Sequence, residues 1–222
     1  MKALLSWSGG KDAAWTLHAL RQRGDIEVVG LLTTVTREHA RVSMQGIRRS
    51  VLHAQALATR LPLLEAEIPA NCANDVYEAA MAAALAEAAG RWPDVRAVAF
   101  GDLFLEDLRA WRVANLARIG WDVVTPLFGS DTAALAREMQ AGGLRAALCC
   151  VDTTRLDAGF AGRDFDAALV RDLPAGIDPC GENGEFHTCV HAGPMFAAPL
   201  RLARGETVLR DERFAYTDYE LR

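Results

Sequence analysis

Two short stretches hold most of the residues able to do chemistry. The first is Ser6-Trp7-Ser8-Gly9-Gly10-Lys11-Asp12-Ala13. Paired glycines let a backbone approach a phosphate with no Cβ in the way. Ser8 and Lys11 add a hydroxyl and a cation, and Asp12 offers a carboxylate that would hold Mg²⁺ or cap a helix. The second stretch is Cys180-Gly181-Glu182-Asn183-Gly184-Glu185-Phe186-His187-Thr188. Acids, an amide and an imidazole crowd a glycine-bearing loop, and loops of that density bind or catalyse. Glu182 and Glu185 are candidate hard-oxygen ligands or acid–base groups. His187 is the side chain whose ordinary titration lies near neutral pH.

Chemistry of this kind needs elements that position it. Ala3-Leu4-Leu5 reads as a strand leading into the first stretch, and Ala14, Leu17, Ala19 and Leu20 as a helix leading out. Strand, glycine turn and helix start aim free N–H groups at an anion. A Walker A loop is excluded: counting back from Gly10-Lys11 puts Leu5 where its first glycine belongs, and Ala13 supplies no hydroxyl. A Gly-x-Gly-x-x-Gly fingerprint is also absent there.

Further along, Ile26 to Thr34 reads as a strand covered on both faces, completing a right-handed βαβ unit. Val35 to Gly46 reads as an irregular cationic loop with Arg37, His39, Arg41 and Gln45, placed to meet a nucleotide, an acidic substrate or solvent alone. Helices are expected over Ile47 to Arg60 and from Asn71 or Asn74 to Ala89, the latter burying Val76, Ala79, Ala80, Ala83 and Leu85. Leu63 to Ile68 and Val95 to Phe100 read as strands. Gly101-Asp102 follows the latter, so Asp102 is a candidate for Mg²⁺ or a substrate hydroxyl, or a plain turn residue. A helix over Leu105 to Gly120 and a strand over Asp122 to Thr125 come next. After Leu127 the spacing predicts a helix over Thr132 to Ala141, a strand over Leu144 to Val151 and a helix over Arg163 to Leu173. Phe186 to His191 reads as a strand with His187, Cys189 and His191 on one face. Those three, with Cys180, are of zinc-ligand type, but their spacing matches no standard finger.

Composition bounds the function. The chain has 222 residues, 51% hydrophobic and 24% charged, with a net charge of −5. That is globular composition, and its mild acidity argues against a broad nucleic-acid footprint. No apolar stretch approaches the ~20 residues of a membrane helix, and the N-terminus does not read as an export signal. Five cysteines, an odd number in a chain that is not small and shows no export signal, point to reduced thiols and a cytoplasmic location, and the lack of a Cys-x-x-Cys pair weakens redox and zinc-ribbon roles.

Ser8-Gly9-Gly10-Lys11-Asp12 resembles the PP-loop of the ATP pyrophosphatases, which cleave ATP between its α and β phosphates. Ala13 replaces that motif's closing serine. Gly181 to Thr188, followed by Gly193-Pro194-Met195-Phe196, resembles the C-terminal motif of the diphthine–ammonia ligase family. Ser43-Met44-Gln45, Gly101-Asp102 and Pro126-Leu127-Phe128 resemble its further motifs.

The resemblance implies an α/β fold: a Rossmann-like parallel-sheet PP-loop nucleotide-binding domain over residues 1–127, then a smaller α+β substrate domain over 128–222. It implies ATP and Mg²⁺ as cofactors, with ammonia and a carboxylate acceptor, on a modified protein or a small molecule, as partners. Ser6, Ser8, Gly9, Gly10, Lys11, Asp12 and Met44 would bind ATP, with Asp12 on Mg²⁺. Gln45, Asp102 and Asn183 would meet the substrate. Lys11, Asp12, Glu182, Glu185 and His187 would be catalytic, with Lys11 offsetting pyrophosphate charge and His187 taking the ammonium proton. A homodimer is one option for assembly. The diphthamide branch carries Glu-Gly-Gly-Glu-Phe/Tyr-Glu, whereas Asn183 and His187 stand here. That variant resembles a bacterial-looking branch whose acceptor differs, a cobalamin-related carboxylate being one option. Two other readings stay open: RNA thiolation with Cys149 or Cys150 carrying sulfur, and a non-catalytic ATP-binding module, which the missing hydroxyl at Ala13 allows.

Overall fold

The computed structural model describes all 222 residues. Its first sheet is built on β1 (Lys2–Ser6), whose Ala3, Leu4 and Leu5 are fully buried. Alternation sends Ala3 and Leu5 to one apolar cluster and Leu4 to the other, so both faces of the strand are covered. The chain leaves β1 through α1 (Lys11–Arg23), which Gly24 closes in the left-handed conformation with its N–H on the Leu20 carbonyl. β2 (Glu27–Thr36) then runs parallel to β1. It is longer than expected and turns back at once into the two-residue β3 (Arg41–Val42), which pairs antiparallel with Val35 and Thr36. The segment read as an irregular loop is therefore a tight hairpin end.

α2 (Arg49–Thr59), β4 (Leu63–Ile68), α3 (Asn74–Arg91), β5 (Val95–Ala99), α4 (Glu106–Ala117) and β6 (Asp122–Val124) complete the first unit. The parallel strands run in the order β4-β2-β1-β5-β6, with β3 beside β1 along the far end of β2. The order reverses between β1 and β5, and the carboxyl ends of such neighbours form the ligand crevice of open α/β sheets. Gly101, just past β5, lies so close to α1 that a Cβ there would fall 2.8 Å from the Asp12 carbonyl carbon.

α3 corrects one expectation. It buries Ala84, Leu85 and Ala88, whereas Val76, Ala79 and Ala83 are exposed. In a run this rich in alanine nearly every position is weakly apolar, so the phase of the buried stripe has little contrast to be read from.

α5 (Thr132–Ala141) is capped by Asp131, which accepts from the Ala134 N–H. β7 (Arg145–Asp152) follows, then α6 (Ala167–Asp172), shorter than expected because Asp166 caps it. β8 (Phe186–Ala192), β9 (Leu202–Arg210) and β10 (Phe214–Leu221) finish the chain. They form an antiparallel sheet in the order β8-β7-β10-β9. The architecture is thus mixed α/β with a parallel-dominated first sheet, as the sequence reading expects. One apolar cluster runs from Leu5 and Trp7 through Leu17 and Leu20 to Leu148, Val190 and Met195. α1 therefore lies between the two sheets, and its N-terminus is shaped by both.

Candidate functional site

The turn after β1 is held from two sides. Gly9 has φ of +78°, a conformation that favours glycine, and a Cβ there would fall 2.6 Å from Gln55 Oε1 and 2.8 Å from Ile47 Cδ1. Gln55, fully buried on α2, donates through Nε2 to the carbonyls of Gly9 at 3.0 Å and Val190 at 2.7 Å, and accepts from Trp7 Nε1. From the other side β8 donates its Val190 N–H to Gly9 O, and Thr188 Oγ1 accepts from the Lys11 N–H at 3.0 Å. Ser8 Oγ accepts a long bond from the Gly10 N–H. The Asp12 and Ala13 N–H groups, in the first turn of α1, have no backbone acceptor. They remain the free anion donors at this helix end.

Beside this turn, at the carboxyl ends of β1 and β2, lies a cleft of about 60 Å³ whose lining includes Ser6, Ser8, Thr34, Ser43 and Gln45. The structure thus brings Ser6, Ser8 and Gln45 to one small cavity. Met44 sits at the same hairpin with φ of +70° and its side chain exposed, its carbonyl accepting from Tyr216 Oη at 3.4 Å.

Lys11 stands differently from its sequence reading. Its ammonium is buried and donates to both Asp12 oxygens, at 2.8 and 2.9 Å, and to the Cys180 carbonyl. Three donors meet three acceptors, so the ammonium has no proton left for a phosphate. The rings of Phe165 and Phe186 flank it at 5.6 Å. Burial alone would lower the Lys11 pKa; the charges of Asp12 and the neighbouring acids outweigh it and the pKa is raised. Burial likewise raises the pKa of Asp12 against the pull of Lys11. Lys11 thus ties the glycine turn to the Cys180 loop.

That loop is internally braced. Asp178 accepts from the N–H groups of Cys180 and Glu182. Glu185 is buried; its Oε1 accepts from the Asp178 N–H and from Asn183 Nδ2, while Oε2 has no partner. Asn183 is therefore engaged within the loop. Glu182 reaches across to the switch point, where its Oε1 accepts from the Leu103 N–H at 2.7 Å. Asp102, beside it, is buried and ion-paired to Arg112 Nε at 3.0 Å. Burial raises the pKa of Asp102, opposed by Arg112.

Titration also falls differently from expectation. Burial, reinforced by Lys11, pushes His187 down to about 4, so the imidazole is neutral at pH 7. Glu182 is the group near neutrality: burial pushes it up to about 7, the Leu103 N–H opposes, and the charge of Asp12 adds to the rise. The expectation that His187 titrates near neutral pH is corrected accordingly. Burial pushes the Cys150 thiol up to about 11 and those of Cys180 and Cys189 up to about 12, and Cys149 rises as well.

No group of three or more His, Cys, Asp or Glu side chains is arranged to hold a metal, so His187, Cys189 and His191 do not converge on one. Asp12 is the carboxylate at the cradle, and an ion arriving with a nucleotide would draw most of its oxygens from phosphate and water. Sequence reasoning did not single out Gln55, Thr188 or Asp178. Gln55 carried a signal, a polar residue amid the apolar Val51, Leu52 and Ala56 of one helix face, and Asp178 before Pro179 is a turn former.

Comparison with known proteins bears on both loops. Residues 131–217 match the model of the Diphthamide synthase C-terminal domain. A diphthine–ammonia ligase of Schizosaccharomyces pombe is 27% identical over 231 aligned positions, covering 94% of this chain and 37% of that protein. The chain thus spans little more than a third of the length of that relative. No helix is long and apolar enough to cross a membrane.

Proposed function

We propose that this chain is an ATP-dependent carboxylate–ammonia ligase, similar in reaction to diphthine–ammonia ligase. The observation that carries the reading is the meeting of its two distant loops. Lys11 bonds the Cys180 carbonyl and Glu182 bonds the Leu103 N–H, so the acid-bearing loop is fastened over the crevice next to the glycine turn. Similarity to the fungal ligase along 94% of this chain supports the same reaction class.

In this mechanism the nucleotide lies along the Ser6, Ser8 and Gln45 cleft, with its phosphates at the N-terminus of α1. The acceptor carboxylate attacks the α-phosphorus; an O–P bond forms and the bond to the β-phosphate oxygen breaks, releasing pyrophosphate. Oriented N–H groups at the α1 terminus meet the charge on the phosphates without reorganising. Asp12, whose two oxygens also accept from Lys11, is the residue that would hold Mg²⁺, and the ion would supply charge neutralisation there. Ammonia then attacks the acyl carbon and AMP departs. Ammonium must lose a proton before it can attack, and Glu182, pushed to about 7, is matched to accept it at neutral pH. Lys11 acts through the loop it fastens. The alternative of sulfur transfer through Cys149 or Cys150 is disfavoured, because both thiols are buried and held in the protonated form.

The test is an acceptor screen with purified protein, ATP, Mg²⁺ and ammonium against modified elongation factor and a panel of small carboxylates. AMP and pyrophosphate formed in equal amounts, dependent on both ammonium and acceptor, are the expected outcome. Nucleotide binding with no AMP under any acceptor would overturn the ligase and leave a binding module. Turnover that needs tRNA and sulfide would establish thiolation instead.

A further inference from the structure

A second cavity is lined by residues with no role in the site described above. It has a volume of about 380 Å³ and lies between α3 and α4, lined mainly by apolar side chains such as Leu85, Phe100, Trp111 and Leu116. That volume is within the range of small-molecule sites. Tyr77 and Met81 line both this cavity and the cleft containing Ser6 and Ser8, so the two spaces adjoin.

One cation belongs to both the cavity and the crevice. Arg112 lies with its guanidinium 4.1 Å from the Phe100 ring centroid, and its one carboxylate partner is Asp102, at Nε. Neither Asp102 Oδ2 nor Arg112 Nε makes an aligned hydrogen bond. A guanidinium carries five N–H donors in a flat fork, so Asp102 leaves the two amino groups for a second carboxylate. Asp102 follows Gly101, which abuts Asp12 at the start of α1. Arg112, a lining residue of the cavity, is thus linked through Asp102 to the residue that abuts the start of α1.

Resting on the ligase reading, we infer that this cavity is the acceptor site and that Arg112 receives the acceptor's carboxylate. The substrate class is a carboxylate on an apolar, ring-sized body. The apolar walls desolvate the body, and the guanidinium orients the nucleophile toward the nucleotide. The acidic Asp75 and Glu78 at the cavity's α3 side disfavour binding with the carboxylate pointing there.

Calorimetric titration of the full chain with 2-naphthaleneacetate and its neutral counterpart 2-naphthaleneethanol tests this without turnover. The acid should bind about tenfold tighter than the alcohol, the worth of one charged hydrogen-bonded pair. Arg112→Gln should abolish that preference while the alcohol still binds. Ala82→Trp, at an exposed lining position, should weaken both probes with a melting temperature close to that of the wild type, and it tests the cavity even if Arg112→Gln fails to fold. No binding of either probe, binding unaffected by Ala82→Trp, or an acid preference that survives Arg112→Gln would overturn the assignment. Probe binding with no AMP in the acceptor screen would uphold the site and sink the ligase; AMP formation with no probe binding would do the reverse.

Discussion

At the scale of single residues, the proposed reaction depends on which group holds a proton at neutral pH. Glu182 is raised to about 7 from 4.5, chiefly by burial. A carboxyl raised in this way stabilises the fold most at low pH, and that contribution is lost as pH climbs through about 7. Glu182→Gln should therefore raise the melting temperature at alkaline pH and change it little well below the ordinary carboxylate value. In turnover, the ascending limb of the pH–rate profile near neutrality should vanish in the same variant, leaving only that of ammonia itself. A limb unchanged in Glu182→Gln would remove Glu182 from the proton transfer. Gly9 gives a second test. Its positive φ and the 2.6 Å approach to Gln55 Oε1 leave no room for a methyl group. Gly9→Ala should cost about 1–3 kcal/mol in denaturant unfolding and lose most nucleotide affinity by titration. The glycine turn was readable because backbone access needs those residue types. The direction of Lys11 was not, because its partner Cys180 lies 169 positions away and the choice between phosphate and carbonyl is made by packing.

Among the elements, the hairpin end that carries Met44 and Gln45 depends on the last strand. Asp218 on β10 accepts from Arg41 at 2.9 Å and from Arg48 Nε at 3.0 Å, and the Tyr216 ring covers Gly46 so closely that a Cβ there would lie 2.8 Å from it. Burial would raise the pKa of Asp218, but the two arginines hold it well below the ordinary range. Asp218→Asn should destabilise by roughly 1.5–3 kcal/mol. It should also weaken ATP binding and speed hydrogen exchange over residues 41–48. Exchange unchanged in that segment would show that β10 does not position the hairpin. This dependence was hidden in the sequence. Parallel strands buried on both faces read as continuous apolar runs, as at Ala3 to Leu5, and are legible for that reason. β9 is exposed along most of its length and mixes charges into Leu202–Arg210, so neither apolar run nor alternation marks it. It is paired by its neighbour β10 and not by its own pattern.

For the whole molecule, two sheets share α1, and the reaction proposed requires both. Asp152, at the end of β7, accepts from Arg213 on the β9–β10 turn and from Thr154, and these bonds hold it well below the ordinary range despite burial. Asp152 and Asp218 are both depressed, so the stability they contribute is present above the ordinary carboxylate pKa and is lost as pH falls toward their folded values. Melting temperature should drop steeply between about pH 4 and about pH 2, and Asp152→Asn should flatten that drop while lowering stability at neutral pH. A drop of unchanged steepness would place acid lability elsewhere. The central claim, that a carboxylate is joined to the α-phosphorus of ATP at the α1 terminus, has a direct test. A carboxylate that supports turnover is labelled with heavy oxygen, and the nucleotide products are weighed. One labelled oxygen in AMP, with unlabelled pyrophosphate, is the expected result; label in inorganic phosphate with ADP as the product would mean attack at the γ-phosphorus and would contradict the account.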